Sequence, residues 1–141
     1  GAAAALLGAG APGIVIVNRS RDRAEALAGL LGTRVSVTPW AAAADHVAGV
    51  QLVINAIPAG VGEGGGLDLA AARRRTVVMD MVYRPPRTPL LAAAEALGLT
   101  TVDGLAMLIG QAVPSFAALF GRAPPSLDVR ALALRALGDG A

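Results

Sequence analysis

Gly13-Ile14-Val15-Ile16-Val17 runs straight into Asn18-Arg19-Ser20 and then Arg21-Asp22-Arg23. The first stretch is apolar throughout and β-branched after its glycine, the continuous run expected of a strand in a parallel sheet. Residues 20–31 then have helical spacing, with Ser20 at the N-cap, Asp22 in the first turn and Gly32 as the stop. A strand that hands directly to a helix is half of a parallel crossover. The alternation continues downstream. Strands are expected at 34–37, 50–54, 76–81 and 99–102. Helices are expected at 39–47, at 88–97 behind Thr88 and Pro89, at 105–120, and at 127–137 beyond Pro124-Pro125. The architecture this implies is a three-layer, doubly wound parallel sheet. Residues 1–7 read as a helix with no strand before it. The sheet's first strand is therefore expected to precede Gly1, and residues 1–141 to form one domain of a longer protein.

Composition excludes several chemistries. The 141 residues are 55% hydrophobic and 16% charged, enough apolar content to bury a core. There is no cysteine, so disulfides, thiolate zinc sites and thiol nucleophiles are ruled out. The single histidine leaves no histidine-rich metal site, and no metal is expected. All 12 basic residues are arginine, so this chain offers neither a Schiff-base lysine nor a lysine proton donor. The pI near 10.4 reflects those arginines; the net charge is only +2 and aromatics make up 3% of residues. Single-stranded nucleic acid needs stacking aromatics, so nucleic acid is not an expected partner. Mean hydropathy is +0.60, but the uncharged stretch 104–121 contains Gln111, Pro114 and Ser115. It reads as a buried helix rather than a membrane span, and no signal peptide is visible. A cytoplasmic location is the expectation.

Parallel sheets bind ligands at the carboxyl ends of their strands, which directs attention to Asn18, Asn55, 81–83 and 103–104. At the first of these, Asn18, Arg19, Ser20 and Arg23 place guanidinium groups beside a helix N-terminus, with no carboxylate at the strand end. In nucleotide-binding sheets an acid at this position selects the ribose 2′-OH, and arginine accommodates a 2′-phosphate. A solvated, capped helix start would look the same. Gly1-Ala2-Ala3 is compatible with the tail of a G-x-G-x-x-G/A fingerprint, and equally with an ordinary alanine-rich helix start. Tyr83, the only tyrosine, follows the strand ending at Met81 and would either meet a ligand or complete the core. Asp103-Gly104 opens the long helix, where Gly104 permits close backbone approach. Met107 and Gln111 share one face of that helix. The Gln111 amide suits hydroxyl recognition, or a bond to nearby backbone. Residues 57–66 are glycine-rich and expected to be an exposed, flexible loop.

Taken together, these segments resemble the NADP-binding C-terminal domain of the shikimate dehydrogenase family, in order and over essentially the whole chain. Asn18-Arg19-Ser20 with Arg23 resembles Asn-Arg-Thr-x-x-Arg. Asn55-Ala56 with Pro58 and Gly60 resembles Asn-Ala-Thr-Pro-x-Gly. Asp80-Met81-Val82-Tyr83 resembles Asp-Met-x-Tyr, and 103–108 with Gln111 resembles Asp-Gly-Leu-x-Met-Leu-x-x-Gln. The resemblance implies a Rossmann-type fold and NADP as cofactor. It implies that Gly1, Ala2, Asn18, Arg19, Ser20, Arg23, Asn55, Met81, Gly104 and Met107 contact the cofactor, and that Tyr83 and Gln111 contact shikimate. It further implies reversible reduction of 3-dehydroshikimate to shikimate by NADPH, in aromatic amino-acid biosynthesis. The catalytic Lys-Asp pair would come from an N-terminal domain of the same polypeptide, so no catalytic residue is expected here, and a homodimer is compatible with the family. Ile57 departs from the family's Thr or Ser. The alternatives are an NAD-using quinate/shikimate dehydrogenase paralogue, a related domain of glutamyl-tRNA reductase or methylenetetrahydrofolate dehydrogenase, and a non-catalytic nucleotide-sensing domain. The 103–111 segment speaks against the related domains, and Ile57 leans toward the sensing domain.

Overall fold

A computed structural model describes residues 1–58 and 66–138. The chain divides into two compact units, Gly1–Gly49 and Val50–Ala141. In the first unit, α1 (Ala2–Gly8) is followed by β1 (Ile14–Val17), α2 (Arg21–Leu31) and β2 (Val35–Thr38). A single 3₁₀ turn, Trp40–Ala42, then leads into α3 (Ala43–Val47). β1 and β2 pair in parallel, Ile14 opposite Val35 through Val17 opposite Thr38. The crossover between them is α2, which lies against both strands and buries Ala24. Ala43 and Val47 of α3 complete this small core. Arg34 reaches back to the end of α1, donating to the carbonyls of Ala11 (2.9 Å) and Leu7 (3.4 Å), where the negative end of the helix favours a cation.

The second unit holds β3 (Leu52–Asn55), β4 (Val77–Asp80), α4 (Pro89–Ala96), β5 (Thr100–Val102), α5 (Gly104–Phe120) and α6 (Val129–Leu137). Its sheet runs β3-β4-β5, all parallel, with Asn55 opposite Asp80 and Met79 opposite Val102. α4 is the crossover from β4 to β5. Thr88 caps it by accepting from the Leu91 N–H (3.4 Å), and Pro89 occupies its first turn, where no N–H is needed. Leu90, Leu91 and Ala94 of this helix, with Val78, Leu99 and Leu105, form the core.

The βα alternation, parallel pairing and element order follow the expected α/β architecture, the described strands pairing as β1-β2 in one unit and β3-β4-β5 in the other, with one difference. The stretch 104–121 is helical but not buried: Leu108, Val113, Leu119 and Phe120 are exposed, and only Gly104 and Leu105 are fully covered. High hydropathy says that a helix gains from cover; it does not supply that cover. Within the described chain α5 lies against α6, itself without a buried residue. The glycine-rich loop expectation at 57–66, including Gly60, falls largely on residues 59–65, outside the described residues. No described helix is long and apolar enough to cross a membrane.

Candidate functional site

The end of β1 is built by local bonds. Asn18 leaves the strand and its Oδ1 accepts the Ser20 N–H (3.0 Å), turning the chain into α2. Ser20 occupies the N-cap as expected, but its hydroxyl makes no capping bond. Arg21 pairs with Glu25 one turn along (2.7 Å). Arg19 and Arg23 make no ion pair among the described residues, and both are exposed beside the helix N-terminus. Two uncommitted guanidinium groups and the positive end of a helix form a place where a phosphate fits. Gly1 and Ala2 open α1 in the same unit, with free space around Gly1.

In the second unit the carboxyl ends of β3 and β4 line a cleft of about 280 Å³, walled by Ala56, Ile57, Pro58, Met81, Val82, Tyr83 and Arg84. Asp80, the last residue of β4, organises it. Its carboxylate accepts from Asn55 Nδ2 (3.1 Å), Val82 N (3.0 Å) and Thr88 Oγ1 (2.7 Å). The other end of the Asn55 amide accepts the Ile57 N–H (3.1 Å). Gly104 packs behind the Met81 and Val82 wall: a Cβ there would lie 2.5 Å from the Met81 carbonyl oxygen and 2.6 Å from that of Val82. The close approach that this glycine permits is therefore to the protein's own backbone.

Asp103 caps α5 by accepting the Ala106 N–H (2.8 Å), and both of its oxygens receive the Arg130 guanidinium of α6. That guanidinium holds the Asp103 carboxyl below the usual carboxylate range, with the Ala106 N–H adding to the effect. Tyr83 stands 47% exposed at the cleft, so the core alternative does not hold. Met107 is half-buried and Gln111 exposed on α5. The bond at Gln111 runs from the Ser115 hydroxyl to its carbonyl (2.8 Å), leaving its amide side chain outside it.

A shikimate dehydrogenase (NADP(+)) of Caulobacter vibrioides is 49% identical over 142 aligned residues, spanning 99% of this chain and 50% of that protein. The chain is similar to shikimate dehydrogenases over nearly its whole length. It spans about half the length of the curated relatives it matches. No family model matches it. Shikimate dehydrogenase from Thermus thermophilus, solved with NADP(H) and shikimate, shares the fold with a TM-score of 0.70 at 31% identity, over 86% of this chain and 44% of that one. Quinate dehydrogenase from Corynebacterium glutamicum, in complex with NAD, matches with a TM-score of 0.75 at 33% identity, over 87% and 46%.

Beside these shikimate dehydrogenase relatives, the structure brings Asn55, Met81, Tyr83 and Gly104 together at one sheet edge, and Asn18, Arg19, Ser20 and Arg23 at the end of β1. Reading the residues one by one missed the centre of the first group. Asp80 was visible only as part of the 80–83 segment, and Thr88 only as a helix cap. An acid inside an apolar, β-branched run is the signal that marks such a hub, because burial demands partners for it.

Proposed function

We propose that this chain is the NADP-binding part of a shikimate dehydrogenase, which reduces 3-dehydroshikimate to shikimate reversibly with NADPH. The observation that carries the reading is the pair of arginines, Arg19 and Arg23, beside a helix N-terminus with no carboxylate at the strand end. They take the adenosine 2′-phosphate, with Asn18 and Ser20 shaping the turn that presents them. Gly1 and Ala2, at the start of α1, belong to the same cofactor contacts. In the second unit, Asn55, Met81, Gly104 and Met107 supply backbone and apolar surface for the nicotinamide, and Tyr83 and Gln111 offer neutral hydrogen bonds to the substrate. The cofactor supplies the hydride; the protein orients it and excludes water. Within this reading the proton donor comes from outside residues 1–141, since a lysine has no counterpart here. The protein works in the cytoplasm in aromatic amino-acid biosynthesis, and a homodimer is compatible with it.

In the full-length protein, NADP is expected to be preferred over NAD by about tenfold or more, a modest demand on two charge-assisted contacts. Replacing Arg19 and Arg23 by alanine should raise KM for NADP and leave NAD nearly unchanged. Equal loss with both cofactors would remove the assignment. A preference for NAD with quinate as substrate would favour the second reading, which the likeness to an NAD-bound quinate dehydrogenase supports.

A further inference from the structure

We propose that the buried Asp80 carboxylate is the positioning group that fixes the spacing between the two walls of the strand-end cleft, and that Asn55 acts through it. Asp80 is 1% exposed and lies directly opposite Asn55 in the parallel register. One oxygen, Oδ1, receives both Asn55 Nδ2 and the Val82 N–H. The first of these bonds governs the β3 wall, because the same amide holds Ile57 by its main chain. The second governs the β4 wall, where the Val82 main chain packs against Gly104. Oδ2 receives the Thr88 hydroxyl, which anchors the carboxylate to the start of α4. A single buried group thus ties β3 and the start of α4 to the end of β4, and no buried side-chain polar atom among the described residues lacks a partner.

The Asn55 amide is consequently committed at both ends, by Nδ2 to Asp80 and by Oδ1 to Ile57. Its orientation is set before any ligand arrives. Turning it over would place two donors together at Ile57 and two acceptors together at Asp80. A buried carboxylate at such a junction is costly to leave unpaired, so its partners are held in place.

The inference rests on the proposed cofactor site, and its test separates the two. In the full-length protein, Asp80→Asn, Thr88→Val and Thr88→Ser would be compared by ligand-free amide exchange and by NADP titration. Asp80→Asn keeps the shape but removes the charge and leaves one acceptor oxygen for three donors, so the Thr88 hydroxyl has to turn and accept instead of donating. It and Thr88→Val are expected to speed exchange at Ile57 and Val82 relative to Val78 in the middle of β4. Both should also weaken NADP binding by about tenfold. Thr88→Ser keeps the hydroxyl and should restore both. Uniformly faster exchange with a lower Tm and unchanged NADP affinity would show Asp80 to be purely structural and overturn the proposal. So would local loosening at Ile57 and Val82 without any loss of affinity. Failure of the unaltered protein to bind NADP would instead overturn the cofactor reading, and with it the cofactor half of this inference.

Discussion

A methyl group on Gly104 would sit 2.5 Å from the Met81 carbonyl oxygen, against backbone that cannot rotate away as a side chain could. Gly104→Ala is expected to destabilise the protein by about 1–3 kcal/mol, the usual cost of overpacking, and to displace the 81–82 segment. Thermal melts check the first effect; an unchanged Tm would show that this segment yields freely. Tyr83 and Gln111 present the opposite case, since both are exposed and their side chains carry no core packing. Tyr83→Phe and Gln111→Ala should leave stability within about 0.5 kcal/mol of the parent, as surface substitutions do. In the full-length enzyme they are expected to cost about 1–3 kcal/mol in kcat/KM for shikimate, through a substrate group left unpaired. NADP affinity without substrate should hardly change. Unaltered shikimate kinetics in both variants would end their assignment to the substrate.

Between elements, the Asp103–Arg130 pair fastens α6 to the first turn of α5. Folding lowers the Asp103 carboxyl below its ordinary value, so its stabilising contribution is full above the unfolded pKa of about 3.9 and fades as pH falls through the lower folded value. Arg130→Ala should therefore destabilise at pH 7 by about 1 kcal/mol or less, because its guanidinium is substantially solvated. That difference should vanish in strong acid, once the pH is below the folded value; melts of both proteins at pH 7 and in strong acid check the sign. Such pairings show what was and was not legible beforehand. Helix α4 was readable from Thr88, Pro89 and Gly98 because its start and stop signals lie within one short stretch of chain. The strand ends were readable because continuous β-branched runs mark parallel strands. Arg130 meeting Asp103 across 27 positions, and Thr88 meeting Asp80 from another element, were not readable. Pairings of this kind depend on how the crossovers return, and no local pattern records that. The burial expected of α5 failed for the same reason: its composition was visible, its cover was not.

On the scale of the whole chain, residues 1–141 contain the arginines and strand-end turns suited to a dinucleotide but no lysine. Purified alone, the chain is expected to oxidise no shikimate above a mock preparation, whereas the full-length enzyme should. Measurable turnover by the chain alone would show that the proton donor lies within it. The pairing of β1 has a separate bearing on how the isolated chain behaves in a test tube. Among the described residues of its own unit, β1 is paired along one edge only, by β2. Ile14–Val17 carries neither charge nor proline, the features by which exposed strands usually discourage self-pairing. Stored at high concentration, the chain is expected to seed cross-β fibrils from the other edge of this strand. A single lysine introduced by Val15→Lys should lengthen the lag before thioflavin fluorescence rises.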